Sequence, residues 1–221
     1  MRAPRTLALV NTLVFIFVLA AALFGPAGRI DVFSFWLYIA LFAIISILAL
    51  ILVDPALGQE RLAPGGRRPG SAQMLPFLAI LAHWILAGLD HGRFHWSDNV
   101  PFGMQIGAFA AVAVSLGFVT WAAHENPFAS SVLRIQTERG HRVITTGPYA
   151  LVRHPIYLAA AILFITSGMA LGSWFATAWG AFFVPLLLRG TAKEDRFLIA
   201  ELPGYADYTK CVPYRILPGV W

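Results

Sequence analysis

Charge is what this sequence has least of. Its 221 residues include 16 Lys+Arg and 11 Asp+Glu, so 12% are charged, about half the ~25% of a soluble domain. That shortfall excludes a water-covered surface over most of the chain. Cysteine is nearly missing too. The single Cys211 excludes an internal disulfide framework, and in the polar C-terminal segment it reads as a free thiol in a reducing compartment. Acidic residues are too few to balance the basic ones, which leaves a formal charge of +5. The basic residues are scattered between apolar runs and form no patch, which argues against nucleic acid as a partner. What is abundant is hydrophobic: 58% of residues, with mean hydropathy +0.70. Length alone would suggest one or two soluble domains; the apolar runs specify one bundle of membrane helices instead.

Four runs, 6–24, 32–53, 74–90 and 101–123, approach the ~20 residues needed to cross a bilayer core. Asp54-Pro55, Asp90 and Glu125-Asn126-Pro127 punctuate their ends. The first run, behind Arg2 and Arg5, is too long for a signal peptide and reads as a retained helix. A fifth apolar region, 156–188, would be about 50 Å long as one helix. Split at Gly172-Ser173 it becomes a hairpin with arms of about 24 Å each.

Charge bias decides between the two. With the N-terminus inside and the hairpin folded back, 14 of the 16 Lys and Arg fall on the cytoplasmic side. Only Arg29 and Arg93 lie outside; one straight crossing would carry five more out. The fold class expected is therefore all-α: a polytopic membrane helix bundle of about four spanning helices, a C-terminal helical hairpin and a cytoplasmic tail. It forms a single integral-membrane domain, 1–221. Residues 1–124 make a four-helix part, and 125–221 a catalytic part around hairpin 156–189. Both termini are expected in the cytoplasm. The 54–73 segment, with Pro64-Gly65-Gly66 and Arg67-Arg68-Pro69-Gly70, reads as a flexible linker whose arginines meet anionic lipid.

Polar chemistry is concentrated in TTGPYALVRHPIYLAA, Thr145–Ala160. Gly147-Pro148 makes a turn, and Pro155 sits in the first turn of the next helix, where its missing N–H costs nothing. Between them lie Tyr149, Arg153 and His154, with Tyr157 just after. Arg suits carboxylate or phosphate, and tyrosine rings suit an adenine or a lipid tail. A basic and aromatic belt at the headgroups would use the same residue types.

The pattern GPYxxVRHPxY, then a hairpin, an acid pair and a tail Gly-x-x-x-Tyr ending Pro-Gly-x-Trp, resembles the isoprenylcysteine carboxyl methyltransferase family. It is also similar to the wider phospholipid N-methyltransferases and their bacterial relatives. The resemblance covers about 100 residues, Asn126 to Trp221. It implies a helical fold with no Rossmann domain, S-adenosylmethionine as cofactor, and a bacterial inner-membrane location. Carried across residue by residue, Gly147, Pro148 and Tyr149 match the turn that closes over the cofactor. His154, Pro155 and Tyr157 match the cofactor-contacting core, Tyr205 and Tyr208 the tail tyrosines, and Glu194 the first acid of a Glu-Glu pair. Asp195 stands where the second Glu is usual.

The resemblance implies methyl transfer to a lipophilic acceptor: the carboxylate of a prenylcysteine-like substrate, a lipid amine or a thiol. Membrane lipids are the other expected partners. Arg153 would position a carboxylate acceptor, and Glu194 would take the proton of an amine. The acceptor is expected to enter sideways from the bilayer, between the hairpin and a neighbouring span. The alternative is an NADPH-dependent membrane reductase of the sterol reductase type, whose C-terminal region looks similar; a scaffold or transporter fits the compact motif less well.

Other polar residues read as structural. Asp90, His91, His95 and Asp98 could bind a metal, since His at i and i+4 share a helix face, but an interfacial cluster is the plainer reading, and no metal site is assigned. His83, inside the third span, would line a substrate path or hydrogen-bond between helices. His124 reads as a helix-end partner.

Overall fold

The computed structural model describes residues 3–66 and 71–221, with side chains for 6–66 and 74–221. Arg2, the side chain of Arg5 and the stretch Arg67-Arg68-Pro69-Gly70 lie outside the described residues. The described residues form only helices and loops: α1 (Ala3–Ala27), α2 (Phe33–Leu52), α3 (Pro55–Leu62), α4 (Ser71–Leu89), α5 (Phe102–Glu125), α6 (Pro155–Ala170), α7 (Trp174–Glu201) and α8 (Tyr205–Cys211). Five of them, α1, α2, α4, α5 and α7, are long and apolar enough to cross a membrane. The chain is an integral membrane protein with several spans, as its composition required.

The hairpin forms. α6 and α7 are joined by Leu171-Gly172-Ser173, with Gly172 at φ +81°, a conformation that a Cβ disfavours. Ser173 caps α7 by accepting the Ala176 N–H at 3.0 Å. The arms run antiparallel and touch backbone to backbone. A side chain at Gly168 would collide with the main chain of Ala176-Thr177, and one at Gly180 with that of Phe164.

Two segments differ from the sequence-based expectation. α7 does not stop near 189 but continues for 28 residues to Glu201, past Pro185. The acid pair Glu194-Asp195 therefore sits on a helix and not beyond its end. The Lys193-Glu194-Asp195-Arg196 run looks like loop by polarity, yet three of its four residue types are good helix formers. The segment after α2 is not wholly a linker either. Pro55–Leu62 is helical, with Pro55 at its start and Asp54 accepting the Ala56 N–H at 2.8 Å as N-cap.

The bundle has two polar ends and an apolar core of Leu19, Leu23, Phe35, Tyr38, Trp84 and Val112 with their neighbours. At the end away from the motif, Asp90 is fully buried and ties α4 to the hairpin turn. It accepts from Ser97 N (2.7 Å), from Ser97 Oγ, and from Ser173 Oγ at 2.5 Å. His95 bonds Asp98 at 2.5 Å. Among the described residues no group of three or more His, Cys, Asp or Glu could hold a metal ion. Inside the bundle, Ser167 of α6 joins Tyr38 of α2 (2.7 Å) to His83 of α4 (2.8 Å). His83 thus serves as a hydrogen bond between helices, the second of its two sequence readings. His124 donates to the Leu52 carbonyl at 2.6 Å, closing the end of α5 onto α2.

Candidate functional site

At the other end, the motif is shaped by its own backbone. Gly147 has φ +57°, and a Cβ there would lie 2.6 Å from Glu125 Cγ, so only glycine fits this turn. The short turn Gly147–Ala150 that follows buries Tyr149. Next, Arg153 N and His154 N pair with the carbonyls of Tyr214 (3.0 Å) and Arg215 (2.8 Å), so the tail is laced to the motif by main-chain bonds. Pro155 then opens α6.

Asp195 is the hub of the site. It is fully buried, and its two oxygens accept five hydrogen bonds. Arg153 Nε and Nη2 form a bidentate pair at 2.8 Å each, Arg215 Nε lies at 2.8 Å, His154 Nε2 at 3.1 Å and the Tyr205 hydroxyl at 3.2 Å. Facing a carboxylate, His154 Nε2 carries a proton and donates. Arg153 Nη1 donates onward to the carbonyls of Val212 (2.7 Å) and Pro213 (2.8 Å). The Asp195 carboxylate holds the Arg153 guanidinium above its ordinary pKa. Burial pushes the Tyr149 phenol up to about 12, and those of Tyr205 and Tyr208 upward as well, so all three act as neutral hydroxyls. Tyr208 donates to the Tyr149 carbonyl at 2.6 Å.

Above this hub lies a cavity of about 260 Å³. Glu194 faces it, its side chain 30% exposed. Its Oε2 accepts from the Tyr157 hydroxyl at 2.7 Å. Its Oε1 lies 4.0 Å from His154 Nδ1, beyond hydrogen-bond reach, and is open to the cavity. Tyr149, His154, Pro155, Tyr157 and Tyr205 form one side of the cavity, and Ile144, Leu198 and Leu202 give it apolar wall.

The loop from Asn126 to Ile144 forms the cover, and α3 latches it. Glu60 of α3 is buried. It takes a bidentate pair from Arg134 (2.7 and 2.9 Å) and bonds from Ser130 Oγ (2.9 Å) and Gly65 N (3.2 Å). Arg134 beside it holds the Glu60 carboxyl at about 2. A depressed carboxyl contributes stability above its unfolded value, and that contribution fades as pH falls from the ordinary carboxylate range toward 2. Arg61 Nε reaches the Ala129 carbonyl at 2.9 Å, and Ser131 Oγ donates to the Arg61 carbonyl at 2.9 Å. Behind the loop, Gln136 is fully buried and donates to the Phe128 carbonyl at 2.7 Å, while His141 stacks on the Phe128 ring at 4.7 Å.

The structure brings seven expected residues onto the cavity wall: Tyr149, Arg153, His154, Pro155, Tyr157, Glu194 and Tyr205. Gly147 and Pro148 are not on it; they shape the turn that presents Tyr149. Arg153, expected to position an acceptor, has four of its five N–H groups committed to Asp195 and the tail. It anchors the tail instead. Asp195, whose shorter side chain weakened its case in sequence, carries the network. Arg61, assigned to lipid from sequence, lies on the cavity wall. The helix start at Asp54-Pro55 was the signal for it, because a helix there turns the Glu60-Arg61 pair toward the cover loop.

A polytopic helical membrane protein with a polar cavity at one end, built by a hairpin and a returning tail, is the class that this fold and site define. The model of the isoprenylcysteine carboxyl methyltransferase (ICMT) family matches residues 111–200, and over that segment the chain is similar to the ICMT family. The solved structure of the eukaryotic intramembrane Ras methyltransferase ICMT is similar over 96% of this chain and 77% of its own, with TM-score 0.52 and 15% identity. At that identity the likeness shows the fold. The cobalt-zinc-cadmium resistance protein CzcN of Cupriavidus metallidurans is 26% identical over 61% of this chain and 59% of its own length. The nickel-cobalt-cadmium resistance protein NccN of Alcaligenes xylosoxydans xylosoxydans is 25% identical over 58% and 57%. The match thus spans less than two thirds of these curated relatives. A Delta(14)-sterol reductase of Mus musculus is 26% identical over 43% of this chain and 24% of its own.

Proposed function

We propose that the chain transfers a methyl group from S-adenosylmethionine to a lipophilic acceptor at the cytoplasmic face of a bacterial membrane. The observation that carries this reading is Glu194. It presents one open carboxylate oxygen to the cavity, fixed by Tyr157, within the segment that matches the ICMT family. The residues fit the cofactor's chemistry. A carboxylate among tyrosine rings suits an ammonium and a sulfonium, Arg142 at the rim suits a carboxylate, and the Ile144, Leu198 and Leu202 wall suits an adenine.

When bound, S-adenosylmethionine would supply a methyl carbon on a cationic sulfur, held by Glu194 and the tyrosines with Arg142 at the rim, and transfer to an ionised acceptor would ask no residue to move a proton. The protein's part is then alignment. Glu194 and Tyr157 hold one side of the cavity. The Asp195 hub fixes His154 and Tyr205 on another, and the Asn126–Ile144 loop lines the cavity's remaining wall. Were the acceptor an amine, Glu194 would also serve as the proton acceptor.

The match to a sterol reductase favours a second reading, in which the same cavity holds NADPH. Titrating the purified protein with S-adenosylhomocysteine and with NADPH separates the two. Saturable S-adenosylhomocysteine binding without NADPH binding is expected; the reverse result would favour the reductase.

The cavity end carries most of the basic residues, so it faces the cytoplasm and both termini lie there. Reporter fusions after Trp221 and between Asp90 and Val100 should give opposite signals. Equal signals would break the topology.

A further inference from the structure

One side of α7 is exposed from end to end. Phe175, Phe182 and Leu186 lie on it at helical spacing. Past Pro185 the same side continues with Arg189, Lys193 and Arg196, all exposed and again three or four residues apart. Glu194 and Asp195 point elsewhere, one to the cavity and one into the buried hub. Arg29, Arg134, Arg153, Lys210 and Arg215 each hold a carboxylate. The three cations of the stripe hold none: among the described residues their side chains meet no acceptor.

The apolar half of the stripe is short. Phe175 marks the end away from the cavity, its N–H on Ser97 Oγ at 3.0 Å. From there to Leu186 the helix rises only about 17 Å, well under the ~30 Å of a bilayer core. Arg189 therefore stands at the edge of the hydrocarbon, where a cation without an anion is costly and its side chain snorkels toward the headgroups. The first anion within its reach there is a lipid phosphate. Arg189 and Lys193 are one turn apart, about 6 Å along the axis, close enough to share one phosphate. Arg196 lies a turn further out, level with the rest of a headgroup. A choline or ethanolamine head would bring its own cation against Arg196, so a head without one is selected. An acidic protein segment would match the three charges but not the apolar residues below them, which lie at membrane depth.

We propose that this stripe binds one anionic phospholipid, its phosphate on Arg189 and Lys193, its headgroup beside Arg196 and an acyl chain along Leu186 and Phe182. Such a lipid braces the end of α7 whose other sides carry Glu194 and Asp195, and by binding the folded protein it stabilises it. The proposal does not depend on the methyl-transfer reading.

The test uses the full chain in a neutral maltoside detergent. Binding of isotope-labelled dioleoylphosphatidylglycerol is measured, with unlabelled dioleoylphosphatidylcholine and glycerol phosphate as competitors. In wild type the choline lipid should compete tenfold or more weakly than unlabelled phosphatidylglycerol, and glycerol phosphate not at all. The triple variant Arg189→Gln, Lys193→Gln, Arg196→Gln should bind the two lipids alike. Its melting temperature without added lipid should match wild type, and only wild type should be stabilised by phosphatidylglycerol. Lys193→Gln alone should lower the preference severalfold, which keeps the test decisive if the triple variant does not fold. Lys210→Gln, which removes an exposed cation far along the tail, should change nothing. The proposal is overturned if wild type binds both lipids equally, as a site for an acidic protein would. It is equally overturned if glycerol phosphate competes as well as the lipid, which would make this a site for free phosphate, or if Lys193→Gln keeps the full preference.

Discussion

Asp195→Ala should unmake the C-terminal tail while leaving the spanning bundle intact. Asp195 compensates two guanidinium groups, Arg153 and Arg215, and orients His154 and Tyr205. Removing one partner of a buried ion cluster leaves uncompensated charge at a cost of about 3–5 kcal/mol. The tail is held to the motif through Arg153, so the loss falls there first. Limited proteolysis should cut between Glu201 and Trp221 in the variant and not in wild type, and the melting temperature in detergent should fall. Asp195→Asn keeps the shape but loses the charge, and should show a smaller version of both effects. A stable Asp195→Ala protein with an intact tail and no turnover would mean that Asp195 acts in chemistry and not in architecture.

The second large effect is expected one residue earlier. Glu194 shares its helix with Asp195 but faces the cavity. Glu194→Gln retains an oxygen to accept the Tyr157 hydroxyl and removes only the charge. S-adenosylhomocysteine affinity should fall by about 1.5–3 kcal/mol, the worth of a hydrogen bond to a charged group; that is tenfold or more. Thermal stability should stay near wild type, because the side chain is partly solvated and lies outside the apolar core. The adjacent pair thus divides into an acid that binds and an acid that builds. Equal loss of stability in both variants would contradict that division.

This division was only half visible in the sequence. Hydropathy was enough for the spans, because a bilayer demands long apolar runs whatever their partners. Charge bias was enough for the hairpin, because topology is written in the placement of Lys and Arg. The motif residues Tyr149, His154, Tyr157, Glu194 and Tyr205 converge on one cavity. The sequence did not reveal which charges are spent on each other. Arg153 meets Asp195 from 42 positions away, and Glu60 meets Arg134 from 74; neither pairing leaves a local trace. α3 was missed because eight residues between Asp54 and the Pro64-Gly65-Gly66 stretch read as linker until the Asp54 cap is seen. The polar end of α7 was missed because solvated helix and loop share a composition.

The central claim is that the cavity over Asp195 serves methyl transfer. Purified protein should be supplied with S-adenosylmethionine carrying a deuterated methyl group, together with a total lipid extract, and the products read by mass spectrometry. The account predicts a lipid-soluble product carrying the deuterated methyl, formed with S-adenosylhomocysteine and strongly diminished in Glu194→Gln. Undiminished product in Glu194→Gln, or no labelled product from a protein that binds S-adenosylhomocysteine normally, would contradict it.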